Sequence, residues 1–177
     1  MTVIDTVTYE DLVNGKAYTL KGKLLDVETQ EVIATAELTF VAESPSGSVE
    51  LPFEFDGSTL LGRELVVFEN LYREGSLVAT HSELTDQDQT VNIPSIGTTV
   101  SVHELDPKNP NSITVTDTVE YKQLTAGKDY TLKGWLVDKT TGKPLLINGQ
   151  PVAVEQNLIP ESKSGFADVE FSFHFST

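Results

Sequence analysis

The sequence predicts an all-β protein: two tandem β-sandwich domains, the second cut short. Three observations carry that prediction. Val, Thr, Tyr, Phe and Ile recur in short runs that alternate with polar residues, and no stretch holds a helical period. Turn-forming pairs punctuate these runs, at Asn14-Gly15, Pro45-Ser46-Gly47, Asp56-Gly57, Glu74-Gly75 and Asn148-Gly149. The opening also repeats at one constant offset. Asp5-Thr6-Val7-Thr8-Tyr9 returns as Asp117-Thr118-Val119-Glu120-Tyr121, and Tyr18-Thr19-Leu20-Lys21-Gly22 as Tyr130-Thr131-Leu132-Lys133-Gly134.

Many short strands at this spacing point to sandwiches of immunoglobulin-like type. The first domain is expected over residues 2–104 and a linker over 105–112, where Asp106-Pro107-Lys108-Asn109-Pro110 is polar and holds two prolines. The second domain is expected over 113–177. It closes on Phe171-Ser172-Phe173-His174-Phe175, which resembles Leu51-Pro52-Phe53-Glu54-Phe55 midway through the first, so the second repeat reads as truncated.

Composition narrows the function. Hydrophobic residues make up 38% of the 177, a normal globular share. A net charge of −15 repels phosphate backbones and anionic surfaces, so no nucleic-acid partner is expected. No apolar run reaches membrane-spanning length, so no membrane insertion is expected. There is no cysteine, which excludes disulfides and cysteine nucleophiles, and no cofactor is expected. Glu83, Asp86 and Asp88 lack the glycine and terminal glutamate of an EF-hand loop, so they read as a solvated acidic loop and no metal is expected.

Polar residues in phase with apolar strand faces are more informative. Residues i and i+2 of a strand share a face. Asp26 continues the face of Tyr18, Leu20, Gly22 and Leu24. Glu69 continues that of Leu65 and Val67, and His81 that of Leu77 and Ala79. Gln89 precedes Val91 and Ile93 in phase, and Thr6 follows Ile4. A buried polar group without a partner costs about 2–7 kcal/mol, so one mutually satisfied cluster is the economical reading. Taken singly, each has an ordinary role: a strand threonine, a half-buried histidine, capping carboxylates, an amide bonded to a neighbouring strand.

Together they carry a specific chemistry. Thr6 offers a hydroxyl nucleophile, His81 a base and Gln89 an amide carbonyl; attack with loss of ammonia leaves an ester. Asp26 and Glu69, buried close together, would share a proton, and the protonated carboxyl would donate to the developing oxyanion.

At these residues the sequence resembles the Thr–Gln ester-bond domains of Gram-positive surface adhesins. The resemblance lies in Asp5-Thr6-Val7-Thr8-Tyr9, in Val67-Phe68-Glu69-Asn70-Leu71-Tyr72 and in the run from Ala79 to Val91, with its His81-to-Gln89 spacing and Gln-Thr-Val ending. It implies immunoglobulin-like sandwiches in a tandem stalk, joined to neighbouring stalk domains. It implies an autocatalytic ester between a first-strand Thr and a last-strand Gln, here Thr6 and Gln89. His81 matches the catalytic His, and Glu69 with Asp26 the acidic pair. It also implies a cell-wall-anchored surface location, with leader and anchor outside this segment and any host ligand held by other domains.

Such a protein modifies itself once and is not a turnover enzyme. In the second repeat Thr118 and Asp138 match, but no His-to-Gln segment follows, so no internal ester is expected there. Three rival readings remain. A loop-based ligand-binding module needs no crosslink. A Lys–Asn isopeptide domain is disfavoured, because residues 3–9 hold no Lys and Asn92 is out of phase with Val91 and Ile93. A hydrolase using Thr6 and His81 is disfavoured by an intramolecular acyl donor in a buried site.

Overall fold

The computed structural model describes residues 1–102 and 111–174. Every regular element in them is a strand, and the chain divides into two units, 1–93 and 94–177.

The first unit holds β1 (Thr2–Tyr9), β2 (Ala17–Asp26), β3 (Val32–Val41), β4 (Gly47–Glu54), β5 (Glu64–Arg73), β6 (Ser76–His81) and β7 (Thr90–Asn92). β1 and β4 form one antiparallel layer. The other has the order β3-β2-β5-β6, with β7 also on β5. The core lies between the layers: Tyr18, Leu20 and Leu24 from β2 and Leu65, Val67 and Leu71 from β5 pack with Leu51 and Phe53 of β4, and Val7 and Tyr9 of β1 close one side. Strand alternation delivers these side chains to one face.

A glycine permits the layers to meet. A Cβ on Gly22 would lie 2.5 Å from Leu51 Cδ2 and 2.5 Å from Phe53 Cζ. The absent side chain of β2 is thus the space that the β4 aromatic fills. The second unit repeats the device, since a Cβ on Gly134 would lie 2.8 Å from Phe171 Cζ.

The second unit holds β8 (Ser95–Val102), β9 (Ser112–Lys122), β10 (Tyr130–Trp135), β11 (Leu146–Ile147), β12 (Gln150–Pro151), β13 (Ala153–Leu158) and β14 (Gly165–His174). One sheet has the order β14-β9-β8, and β10 pairs with β13. Val115, Val119, Val169 and Phe171 meet Leu132, Leu136, Val152 and Val154 in its core. Among the described residues no strands correspond to β5, β6 and β7.

The division differs from the expected one. Ser95–Val102, assigned from sequence to the end of the first domain, hydrogen-bonds along β9 from Ser95↔Lys122 to Val102↔Val115. It is a strand of the second unit. Of the expected linker, residues 105–110 lie outside the described residues, and Ser112 already belongs to β9.

Candidate functional site

β5 organises the site. Glu69 on β5 stands opposite His81, the last residue of β6. Further along the same edge Val66 stands opposite Thr90 of β7, and the Val67 N–H donates to the Gln89 carbonyl at 3.1 Å. β6 and β7 therefore follow one another along one edge of β5. The connection 82–89 loops out between them, with His81 at its start and Gln89 at its end.

That loop is tied down locally. The Thr90 hydroxyl donates to the Asp86 carbonyl at 2.6 Å, and the Asp88 N–H donates to Asp86 Oδ1 at 2.9 Å. These bonds aim Asp86 Oδ2 at His81 Nε2, 2.9 Å away. His81 Nδ1 lies 3.5 Å from Glu69 Oε2. With Nε2–H donated to Asp86, the Nδ1 lone pair is the available base.

β1 supplies the remaining wall. Thr6, Glu69, His81 and Gln89 line one cavity of about 330 Å³, together with Val7, Leu20, Phe40 and Leu71. Four of the five predicted site residues thus surround one space.

Thr6 reaches it from a different phase than expected. Along β1 it is Val3, Asp5, Val7 and Tyr9 that turn toward the core, whereas Thr6 is exposed and Ile4 is 59% exposed. Ile4 misleads as a phase marker; Val7 and Tyr9 fix the register, and a shift of one residue exchanges the faces. β6 differs likewise: Leu77, Ala79 and His81 are all exposed, so the site opens to solvent along that strand.

Asp26 is not part of the cluster. It is buried, as its phase predicted, but at the other end of β2. Gly22 is the β2 residue opposite Glu69, while Asp26 stands opposite Leu65. Four residues of strand place it roughly 13 Å away along the sheet. Its Oδ1 accepts from the N–H groups of Glu28 at 2.9 Å and Thr29 at 3.0 Å, closing the turn into β3, and Arg63 lies 3.5 Å from Oδ2. Asp138 does the same, accepting from Thr140 at 2.7 Å and Thr141 at 3.0 Å; those bonds hold its carboxyl below the usual range. The recurrence that suggested chemistry reflects a repeated turn cap.

The carboxyl beside Glu69 is Asp5. Glu69 Oε1 and Asp5 Oδ2 are both buried and each lacks a donor, an arrangement that one shared proton satisfies. Burial, then the neighbouring Asp5, pushes Glu69 up to about 8. Sequence reasoning missed Asp5 and Asp86. The signals were there: Asp5 is in phase with Val7 and Tyr9, and Asp86 lies between His81 and Gln89.

In the second unit the Thr118 hydroxyl donates to Asp168 Oδ1 at 2.7 Å. Asp117 Oδ1 is buried without a partner, as Asp5 Oδ2 is. Gln150 lies on β12, Gln156 opposite Leu132, and His174 opposite Ser112 at the end of β14. None of the three occupies a place like those of Gln89 or His81.

A two-layered β domain with a threonine and a glutamine facing one cavity, between a histidine and a carboxyl pair, has the makings of a self-crosslinking protein. The family of T-Q ester bond containing domains matches residues 1–93 and again 94–177, the same two units into which the fold divides. The chain belongs to that family and carries two copies of its domain. No curated protein matches the chain.

Proposed function

We propose that the first unit is a stalk domain of a cell-wall-anchored surface adhesin, and that it joins Thr6 to Gln89 by an autocatalytic ester. The observation that carries this reading is the cavity shared by Thr6, Glu69, His81 and Gln89. His81 Nδ1 takes the Thr6 hydroxyl proton while Asp86 holds the ring through Nε2, the arrangement of a nucleophile–histidine–carboxylate relay. Thr6 Oγ1 adds to the Gln89 side-chain carbonyl carbon. The proton shared by Glu69 and Asp5 hydrogen-bonds to the oxyanion and stays with the carboxyl pair as the carbonyl re-forms. Collapse breaks the C–N bond, His81 returns its proton to the departing nitrogen, and ammonia leaves. One bond forms and one breaks, once per molecule, so the unit is not a turnover enzyme.

The ester would tie β1, in one layer, to the residue preceding β7, in the other. The layers are otherwise held by apolar packing and by the connecting chain. Pulling force that enters at β1 would pass through a covalent bond to Gln89 and bypass both hydrogen-bonded ladders. That suits a load-bearing segment between neighbouring stalk domains, with host ligands left to other domains. Thr118 has no glutamine partner among the described residues.

Intact-mass measurement tests this. The expected mass is that of the sequence less one ammonia, with a crosslinked peptide pair containing Thr6 and Gln89. An unshifted mass with both residues unmodified overturns the proposal.

A further inference from the structure

The β5–β6 hairpin does not pair regularly. Its turn is tight: Glu74 (φ 51°) and Gly75 (φ 79°) both adopt left-handed backbone, the geometry of a two-residue connection, and Arg73 stands opposite Ser76. Tyr72 then stands opposite Leu77. The next pair is Leu71 with Ala79, so Val78 has no residue opposite it. Val78 is the extra residue of a β-bulge. Beyond it the pairing is regular again, with Asn70 opposite Thr80 and Glu69 opposite His81.

The bulge decides which side chain meets Glu69. Residues opposite each other in a ladder share a face of the sheet. On β5, Val67, Glu69 and Leu71 are buried in the core-facing phase, and Phe68, Asn70 and Tyr72 alternate to the outer face. Counted from the turn without a bulge, Val78 would stand opposite Leu71, Thr80 opposite Glu69 and His81 opposite Phe68. The imidazole would then lie on the outer face, away from the cavity. One unpaired residue reverses that. It also separates Leu77 from Ala79 and His81, which strand alternation alone would keep on one face. Both ends of β6 are held, so the extra residue is absorbed between them. The turn holds one end. At the other, the Thr80 hydroxyl donates to Asn70 Oδ1 at 2.7 Å, and His81 lies between Glu69 Oε2 at 3.5 Å and Asp86 Oδ2 at 2.9 Å. The strand between is exposed, so the bulge displaces no core side chain.

We propose that Val78 is a positioning residue of the ester site: by standing unpaired in β6, it turns His81 onto the face of Glu69. Bulges beside reactive groups re-aim a side chain in this way. The inference rests on the Thr6–Gln89 ester proposed above, and it concerns where the base stands rather than its chemistry. The place of Val78 in the strand matters, and its side chain does not.

Reordering the same residues in the full chain tests this, with ammonia loss followed by intact mass. Moving Val78 to between Thr80 and His81 gives Leu-Ala-Thr-Val-His. Regular pairing then sets valine opposite Glu69 and the imidazole opposite Phe68, so ester formation should slow by about a hundredfold or more. Moving Val78 to just after His81 gives Leu-Ala-Thr-His-Val. The imidazole again meets Glu69, now without a bulge, and the rate should stay within about tenfold of the parent. Val78→Ala should leave the rate unchanged. Thr80→His combined with His81→Thr changes two exposed positions and leaves the chain length alone. It sets the imidazole opposite Asn70 and should block the ester in a chain that still folds. A parent-like rate in the first reordering or in the Thr80–His81 exchange overturns the proposal, and so does a blocked ester in the second reordering. Cross-strand NMR contacts report the register directly, and contacts from His81 to Phe68 in place of Glu69 would also overturn it. A parent chain with no mass deficit overturns the ester reading and this inference with it. A parent with the deficit, and variants that break the pattern, overturn this inference alone.

Discussion

Replacing Thr6 with alanine should remove the proposed crosslink and almost nothing else. The side chain lies on the exposed phase of β1, so its truncation alone is expected to change stability by no more than about 0.5 kcal/mol. The proposed ester would close nearly the whole first unit into a loop. The chain-entropy relation for a cross-link of that length gives about 4.5 kcal/mol through the unfolded state, by analogy with disulfides. For a unit of this size each kcal/mol moves the midpoint by about 4–8 °C, so a fall of roughly 20–35 °C is expected. Calorimetry of the full chain is the assay, with Thr6→Ser as the control, since serine restores the hydroxyl. The transition of the first unit should drop in the alanine variant and recover with serine, in step with the loss of ammonia. A fall below about 1 kcal/mol in a variant proven uncrosslinked would refute the loop-closure reasoning.

Three further outcomes follow from the site. Asp86→Asn leaves His81 in place but no longer holds the Nε2–H tautomer, so ester formation followed by mass should slow by roughly 10²–10⁴-fold; an unchanged rate would remove Asp86 from the relay. Asp26→Ala should cost about 1 kcal/mol through the lost turn cap and still give the full mass deficit; a blocked ester would return Asp26 to the chemistry. Glu69 is raised from 4.5 to about 8 in the fold. The folded state thus holds a proton that the unfolded state has lost, and the stability is fully present below about 4.5 and lost as pH rises through 8. In the uncrosslinked Thr6→Ala chain, denaturant unfolding should show that decline. Adding Glu69→Gln should flatten it, and a slope that survives the substitution would assign it to another group.

Sequence alone determined the β class, the repeat and four of the residues that line the candidate site. Those features are local: alternation decides strand faces, turn pairs decide where runs stop, and the His81-to-Gln89 spacing lies within one loop between two strands of a shared edge. Phase along a strand also announced that Asp26 and Glu69 are buried. It could not say at which end of the sheet each lies, because that depends on the pairing of Gly22 with Glu69 and of Asp26 with Leu65. The tertiary structure alone decided that Asp5, brought in from the other layer, is the carboxyl beside Glu69, and that Asp86 folds back onto His81. It also decided that Ser95–Val102 belongs with β9. The physical reason is the same each time. Which polar groups meet, and which strand edges are filled, is fixed by register between segments distant in sequence, and no single segment carries that register.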